Sequence, residues 1–429
     1  MAPLVSRRTH CAALALCLAV QPALAAAQGL PRARPEDVGL SSAALARITP
    51  ALKVHTDSGR LAGIVVAVAR RGKVAHLEAI GSMDIERAVP MRTDAVFRIF
   101  SMTKAVTAAA VAQLIERGKV RLDDPVSKYI PAFAQVKVFA GGSATSPVLR
   151  DPARPITIAH LLTHSAGLTY GSFGNTPVDT IYRRARLLDA SQTIAQFADT
   201  IARLPLLFDP GSRWMYSMAM DVLGRVVEVA SGKSFDRYLS DEIFAPLGMR
   251  ETGFHATPAM DGRIATLYGR GPRGLATDTV LLSPDYRSDG KVFAGGHGLL
   301  STAADYLRFT QMLLNGGELD GRRVLARATV DMMMRNHLPP ELTPITPPPL
   351  GNKRGYGQGL GGVVMLDSVA AAMSTSPGVY RWCGYAGTYF LIDRSKDLIA
   401  MVWTQLAPGC PHAIEAQFER LVYAALVDR

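Results

Sequence analysis

Cysteine is scarce in this chain, with four among 429 residues. Cys11 and Cys17 fall in an N-terminal stretch that reads as an export leader, which leaves Cys383 and Cys410. Two cysteines make no disulfide framework, so a small stapled fold is excluded and both are expected as free thiols. Long low-complexity tracts and internal repeats are lacking. Charged residues are only 19% and hydrophobic residues 48%, which excludes global disorder and suffices for one large core or two smaller ones. The formal charge is +11, yet the basic residues are scattered, with short pairs at Arg70-Arg71, Arg183-Arg184 and Arg322-Arg323. No aromatic-interleaved basic stripe accompanies them, so nucleic-acid binding is a poor reading and a solvated basic surface the default. Gly-x-Ser-x-Gly is absent, which weighs against an ordinary α/β-hydrolase.

In the leader, Arg7-Arg8 precede an apolar run over 11–20, and Ala23-Leu24-Ala25 or Ala25-Ala26-Ala27 offers a cleavage site. The run is too short for stable membrane insertion. A signal peptide is therefore expected over 1–27, with the mature domain at 28–429 and a periplasmic or secreted location.

Residues 61–69 form a valine-rich apolar run expected as a buried strand, and a turn at 70–73 leads to a second strand over 74–80. From Ser101 to about Gly248 the pattern is mostly helical, for example over 221–231 and 235–244. Residues 388–393 and 398–405 read as strands joined by a turn at 394–397, and a last helix is expected over about 412–427. Residues 339–362, rich in Pro and Gly, read as a long loop. The expected fold class is α/β, with a sheet built from both chain ends, flanking helices and an inserted, mostly helical region at about 105–285.

What carries chemistry is Ser101-Met102-Thr103-Lys104 at the head of an apolar helix reaching about Arg117, with Gly118 past its end. A serine three residues before a lysine shares its helix face. Between 105 and 112 only Thr107 is polar, so the helix is expected to be buried. A lysine there loses hydration, its pKa falls, and it can share a proton with a neighbouring hydroxyl. Taken alone, the same string also describes an N-cap serine and a lysine reaching solvent. Tyr216-Ser217-Met218 precedes the helix near Asp221, and its tyrosine, as a phenolate beside a cation, can take a proton. Trp382-Cys383-Gly384-Tyr385-Ala386-Gly387-Thr388 opens the first late strand, where small residues let a backbone N–H approach a substrate oxygen.

In order and spacing, the three segments resemble the serine β-lactamase and penicillin-binding superfamily. More narrowly, the chain resembles the family VIII carboxylesterases, which share the class C β-lactamase fold. Supporting stretches are Arg98-Ile99-Phe100-Ser101, His160-Leu161-Leu162-Thr163-His164-Ser165-Ala166-Gly167-Leu168 and Gly295-Gly296-His297-Gly298-Leu299-Leu300-Ser301-Thr302. The resemblance covers roughly Leu61 to the C-terminus. It implies a β-lactamase-like fold with an antiparallel sheet, and a serine esterase that needs no cofactor or metal and acts on a small-molecule ester. Ser101 would be the nucleophile, Lys104 and Tyr216 its proton-transfer partners, and the backbone N–H groups of Ser101 and Tyr385 the oxyanion hole. Trp382, Cys383 and Gly384 would touch substrate, with Cys383 as packing or a rim thiol.

Two departures bear on substrate. Class C β-lactamases have Tyr-Ala-Asn where this chain has Met218 in third place, and Lys-Thr-Gly where it has Trp382-Cys383-Gly384. The missing asparagine and lysine would hold a β-lactam's amide and carboxylate, so uncharged esters are expected. A β-lactamase or D,D-peptidase, an acyltransferase using the same residues, and a non-catalytic penicillin-binding-like protein are the alternatives. His160 and His164 are four apart without a Glu between them, and both are expected to be structural.

Overall fold

The computed structural model describes residues 29–187, 189, 191–278, 286, 292–343, 345, 354–409 and 413–427. The expected leader at 1–27 lies outside them. Helix α1 (Ile48–Asp57) leads to strand β1 (Gly63–Arg70). Arg71 and Gly72, both at positive φ (52° and 75°), turn the chain tightly so that Arg70 pairs with Lys73 at the start of β2 (Lys73–Asp84). Two positive-φ residues give the turn the twist that antiparallel strands need. A short β3 (Val89–Pro90) completes this end of the sheet. Strand β4 (Val96–Arg98) runs into helix α2 (Thr103–Glu116), and α3 (Ala219–Ser231) lies in the inserted region. Beyond it come β5 (Leu300–Thr302), which pairs with β4, and α4 (Ala303–Leu314). The chain ends with β6 (Tyr356–Gln358), β7 (Val363–Met365), β8 (Tyr380–Cys383), β9 (Tyr389–Asp393), β10 (Leu398–Trp403) and α5 (Ala413–Tyr423).

Among the described residues the main sheet has eight strands, ordered β6-β7-β8-β9-β10-β1-β2-β3 and antiparallel throughout. The N-terminal hairpin docks on the C-terminal meander through β1 and β10, Val65 opposite Trp403 and Ala67 opposite Met401. The sheet is thus built from both chain ends, as expected. Strand β1 is buried at every position, so both faces of the sheet's centre are covered. Helices α1 and α5 pack on each other and on the sheet, and α4 packs on β1, β9 and β10. Tyr306 of α4 meets Phe390 and Trp403 with ring centroids 5.4 and 5.8 Å apart.

Two expectations need correction. The stretch at 339–362 is not all loop, because Tyr356–Gln358 supplies a strand of the main sheet. Trp382 and Cys383 do not open a strand; they end β8, and the turn after them leads to β9. In the inserted region helices outnumber strands but loops make up much of it, and it also holds two hairpins, Val138–Gly142 with Pro147–Arg150 and Tyr268–Gly271 with Gly274–Thr277. Helix α2 is buried from Thr103 to Leu114, because its alanine-rich, apolar sequence leaves no polar face to turn outward. Gly118, at φ 67°, sits just past its end, where the chain must turn left-handed. No helix among the described residues is long and apolar enough to cross a membrane.

Candidate active site

Strand β4 delivers Ile99 into a tight 3₁₀ turn, Phe100–Met102, that precedes α2. Phe100 holds φ at 43°, a conformation that a bulky residue rarely adopts. Ser101 follows it in a partly open position, while Lys104 on the first turn of α2 is fully buried. Lys104 therefore does not reach solvent. Its Nζ donates to Ser101 Oγ at 3.0 Å, to the Tyr170 hydroxyl at 3.0 Å and to the Gly296 carbonyl at 2.6 Å. An ammonium has three donors, and here each has an acceptor. Burial pushes Lys104 down to about 7, with the nearby Asp221 carboxylate working against it.

Tyr216 donates its hydroxyl to Ser101 Oγ at 2.7 Å, so the three residues expected to act together do meet. The loop before α3 is pinned from two sides. The Met215 N–H donates to the His164 carbonyl at 2.9 Å, and Trp214 Nε1 donates to Gln358 Oε1 of β6 at 3.1 Å. Burial pushes Tyr216 well above the ordinary tyrosine range, and hydrogen bonding to Ser101 only partly offsets it. Burial therefore favours the phenol over the expected phenolate, because taking the ring out of water penalises the anion.

The Trp382–Thr388 segment lies against the same turn. Thr388 Oγ1 donates to the Ile99 carbonyl at 3.2 Å, and the Tyr385 and Phe100 rings meet edge-on at 6.0 Å. A Cβ on Gly384 would collide with the Ile99 carbonyl, so this approach needs glycine. The backbones of Ser101 and Tyr385, expected as the oxyanion hole, thus lie on adjoining turns held together by these contacts. Trp382 packs on Tyr216 at 5.5 Å between ring centroids. Cys383, expected as a free thiol, is instead disulfide-bonded, and its partner lies outside the described residues, as does Cys410. Separation along the sequence does not say which sulfurs meet, and the end of β8 brings this one to a partner. A bonded sulfur is no rim nucleophile.

Reading the sequence missed Tyr170, Asp221 and the Gly296 carbonyl as groups around Lys104. Tyr170 stands two residues past the quoted His160–Leu168 stretch, and Gly296 lies inside the quoted Gly295–Thr302 stretch. Each was within reach as a position, but its partner was not. His160 Nδ1 accepts the Thr157 N–H and caps a short helix. His164 is buried against Tyr216 with ring centroids 4.9 Å apart, and burial holds it neutral, Lys104 adding to the effect. Met218 is buried at the head of α3 and offers no amide.

Taken together, the arrangement can pass a proton from a serine hydroxyl to a buried lysine and return one to a leaving oxygen. The profile of the beta-lactamase family matches residues 46–424. Esterase EstB of Burkholderia gladioli is 30% identical over 393 residues, covering 87% of this chain and 93% of that protein. Protein Rv1367c of Mycobacterium tuberculosis is 35% identical over 357 residues, covering 82% and 88%. The structure of EstCE1, described as a hydrolase with promiscuous acyltransferase activity, superposes with a TM-score of 0.76 at 29% identity. It covers 89% of this chain and 99% of that one.

Proposed function

The chain belongs to the beta-lactamase family, and from that premise we propose that it is a serine esterase hydrolysing short-chain carboxylic esters through an acyl-enzyme on Ser101. The observation that carries this reading is the convergence of Lys104 Nζ and the Tyr216 hydroxyl on Ser101 Oγ, at 3.0 and 2.7 Å. The esterase relative EstB and the hydrolase EstCE1 support it.

At neutral pH a large share of Lys104 is uncharged. A neutral amine has two N–H groups and one lone pair. Gly296 can only accept, so it takes one N–H, and Tyr170 can take the other. The lone pair is left for the Ser101 hydroxyl, whose proton passes to Nζ as Oγ attacks the ester carbonyl. The oxyanion rests on the N–H groups of Ser101 and Tyr385. As the tetrahedral species collapses, the one proton on Lys104 goes to the leaving oxygen, which departs as the alcohol, while the Tyr216 phenol steadies that oxygen by a hydrogen bond and keeps its own proton. Water then repeats the cycle in reverse, attacking the acyl group and restoring Ser101.

Uncharged substrates fit the site better than β-lactams. Trp382 and Met218 are apolar where β-lactamases place a lysine and an asparagine, and the cation that β8 does carry, Arg381, is buried and paired with Glu419 at 2.8 Å, so a carboxylate entering here would lose water with little to offset it. An alcohol replacing water as acceptor would make the same machinery an acyltransferase, a reading that the description of EstCE1 favours as a side activity. The chain is exported, periplasmic or secreted; the disulfide at Cys383 supports this, since such bonds persist in oxidising compartments.

The test sets p-nitrophenyl acetate beside nitrocefin on one preparation, with Ser101→Ala as control. The ester should have the higher kcat/KM, and the folded variant should lose nearly all turnover. A higher value for nitrocefin would replace this reading with a β-lactamase, and full activity in Ser101→Ala would remove the nucleophile.

A further inference from the structure

Asp221 lies in the first turn of α3, five residues past Tyr216, and is 1% exposed. Its Oδ1 accepts the Gly296 N–H at 2.8 Å and stands 3.4 Å from His297 Nδ1. Its Oδ2 has no donor among the described residues. The carboxylate lies against the glycine itself, for a Cβ at 296 would come within 2.5 and 2.9 Å of its two oxygens. The carbonyl of the same glycine accepts from Lys104. Gly296 therefore bridges the two buried charges, N–H to Asp221 and C=O to Lys104.

A buried carboxylate is costly without a counter-charge, and so is a buried ammonium; each favours the charged form of the other. We infer that Asp221 is a positioning residue for Lys104, setting with His297 the pH at which the lysine releases its proton. The inference rests on the proposed role of Lys104 as base. Facing Lys104 are Ser101 from its own segment, His164 and Tyr170 from the 164–170 loop, Tyr216 and Asp221 from the start of α3, and His297 beyond Asp221. Burial keeps His164 neutral and both tyrosines protonated, so within that set Asp221 alone brings negative charge. The His297 side chain is 30% exposed, so solvent reaches the outer end of the Lys104–Gly296–Asp221–His297 series.

The experiment is the pH profile of kcat/KM for p-nitrophenyl acetate, with the pH dependence of Ser101 labelling by a fluorophosphonate as a readout independent of deacylation. Asp221→Asn keeps the shape and removes the charge, so the acid limb should move to lower pH by about one unit. His297→Gln strips a partner from the carboxylate and strengthens its field at Lys104, so the limb should move to higher pH. Shifts of opposite sign in both readouts are the expected signature. A rate lowered at all pH values with the limb unmoved in both variants would overturn the inference and leave the esterase reading intact. If Asp221→Asn does not fold, His297→Gln decides alone, an upward shift supporting the inference and an unmoved limb overturning it. A wild-type enzyme that turns over esters without an acid limb near pH 7 overturns the role of Lys104 and this inference with it.

Discussion

Lys104 Nζ stands as close to the Tyr170 hydroxyl as to Ser101 Oγ, 3.0 Å from each. The Tyr170 ring also packs beside Tyr216, with centroids 5.2 Å apart, so one tyrosine touches both partners of the nucleophile. A hydroxyl in that place fixes where the lysine's lone pair points.

Tyr170→Phe should therefore lower kcat/KM for p-nitrophenyl acetate by about tenfold, by removing one hydrogen bond that orients the base. The loss should fall on kcat with KM little changed, because the ring itself remains. Steady-state kinetics at several pH values check this.

Lys104→Ala and Tyr216→Phe should each cost on the order of 10²-fold or more in kcat, and the double variant should lose less than the product of the two. Both groups meet on one oxygen, so removing either disables the same proton transfer. Multiplicative losses in the double-mutant cycle would mean separate roles.

Gly384→Ala should impair both folding and catalysis. The new Cβ would meet the Ile99 carbonyl and Thr388 Oγ1, and the backbone at Ile99 has little freedom to yield. Displacing the turn moves the Tyr385 N–H away from Ser101. A stability loss of about 1–3 kcal/mol is expected from such overpacking. Chemical denaturation gives the first quantity and kcat the second.

Lys104→Met tests the burial of the lysine through stability alone. The folded-state pKa of Lys104 lies near 7, below its unfolded value, so between the two the unfolded chain holds the extra proton. Wild-type stability gains from this group as pH rises through that window, and the penalty of burying it is full below pH 7. The methionine variant should accordingly gain more in Tm, relative to wild type, at pH 6 than at pH 9, as thermal melts would show. An equal difference at both pH values would mean that the lysine is not desolvated.

Much of the site was legible because three short segments, in their order along the chain, resemble a known family, although each alone also has a plain structural reading. Ser101 and Lys104 share a helix face whatever surrounds them, and the apolar run after them already required burial of α2. The strands at 63–70, 389–393 and 398–403 were legible because buried strands write largely apolar runs, and 73–84, only partly buried, was legible from the turn that joins it to the first. Strand β6 was hidden among glycines and prolines, and its three residues pair only because β7 offers an edge.

The sequence by itself determined the Ser101–Lys104 spacing on one helix face and the apolar runs at both chain ends from which a sheet forms, because period and composition act within a few residues, and the resemblance of its motifs added Tyr216. Only the tertiary structure decided their states. Burial pushes Tyr216 up, towards the phenol, and Lys104 down to about 7. Packing placed Tyr170, Gly296 and Asp221 around that amine, and the end of β8 put Cys383 into a disulfide. Desolvation and contact between distant segments depend on what the whole chain excludes from water, and no stretch of sequence holds that information alone.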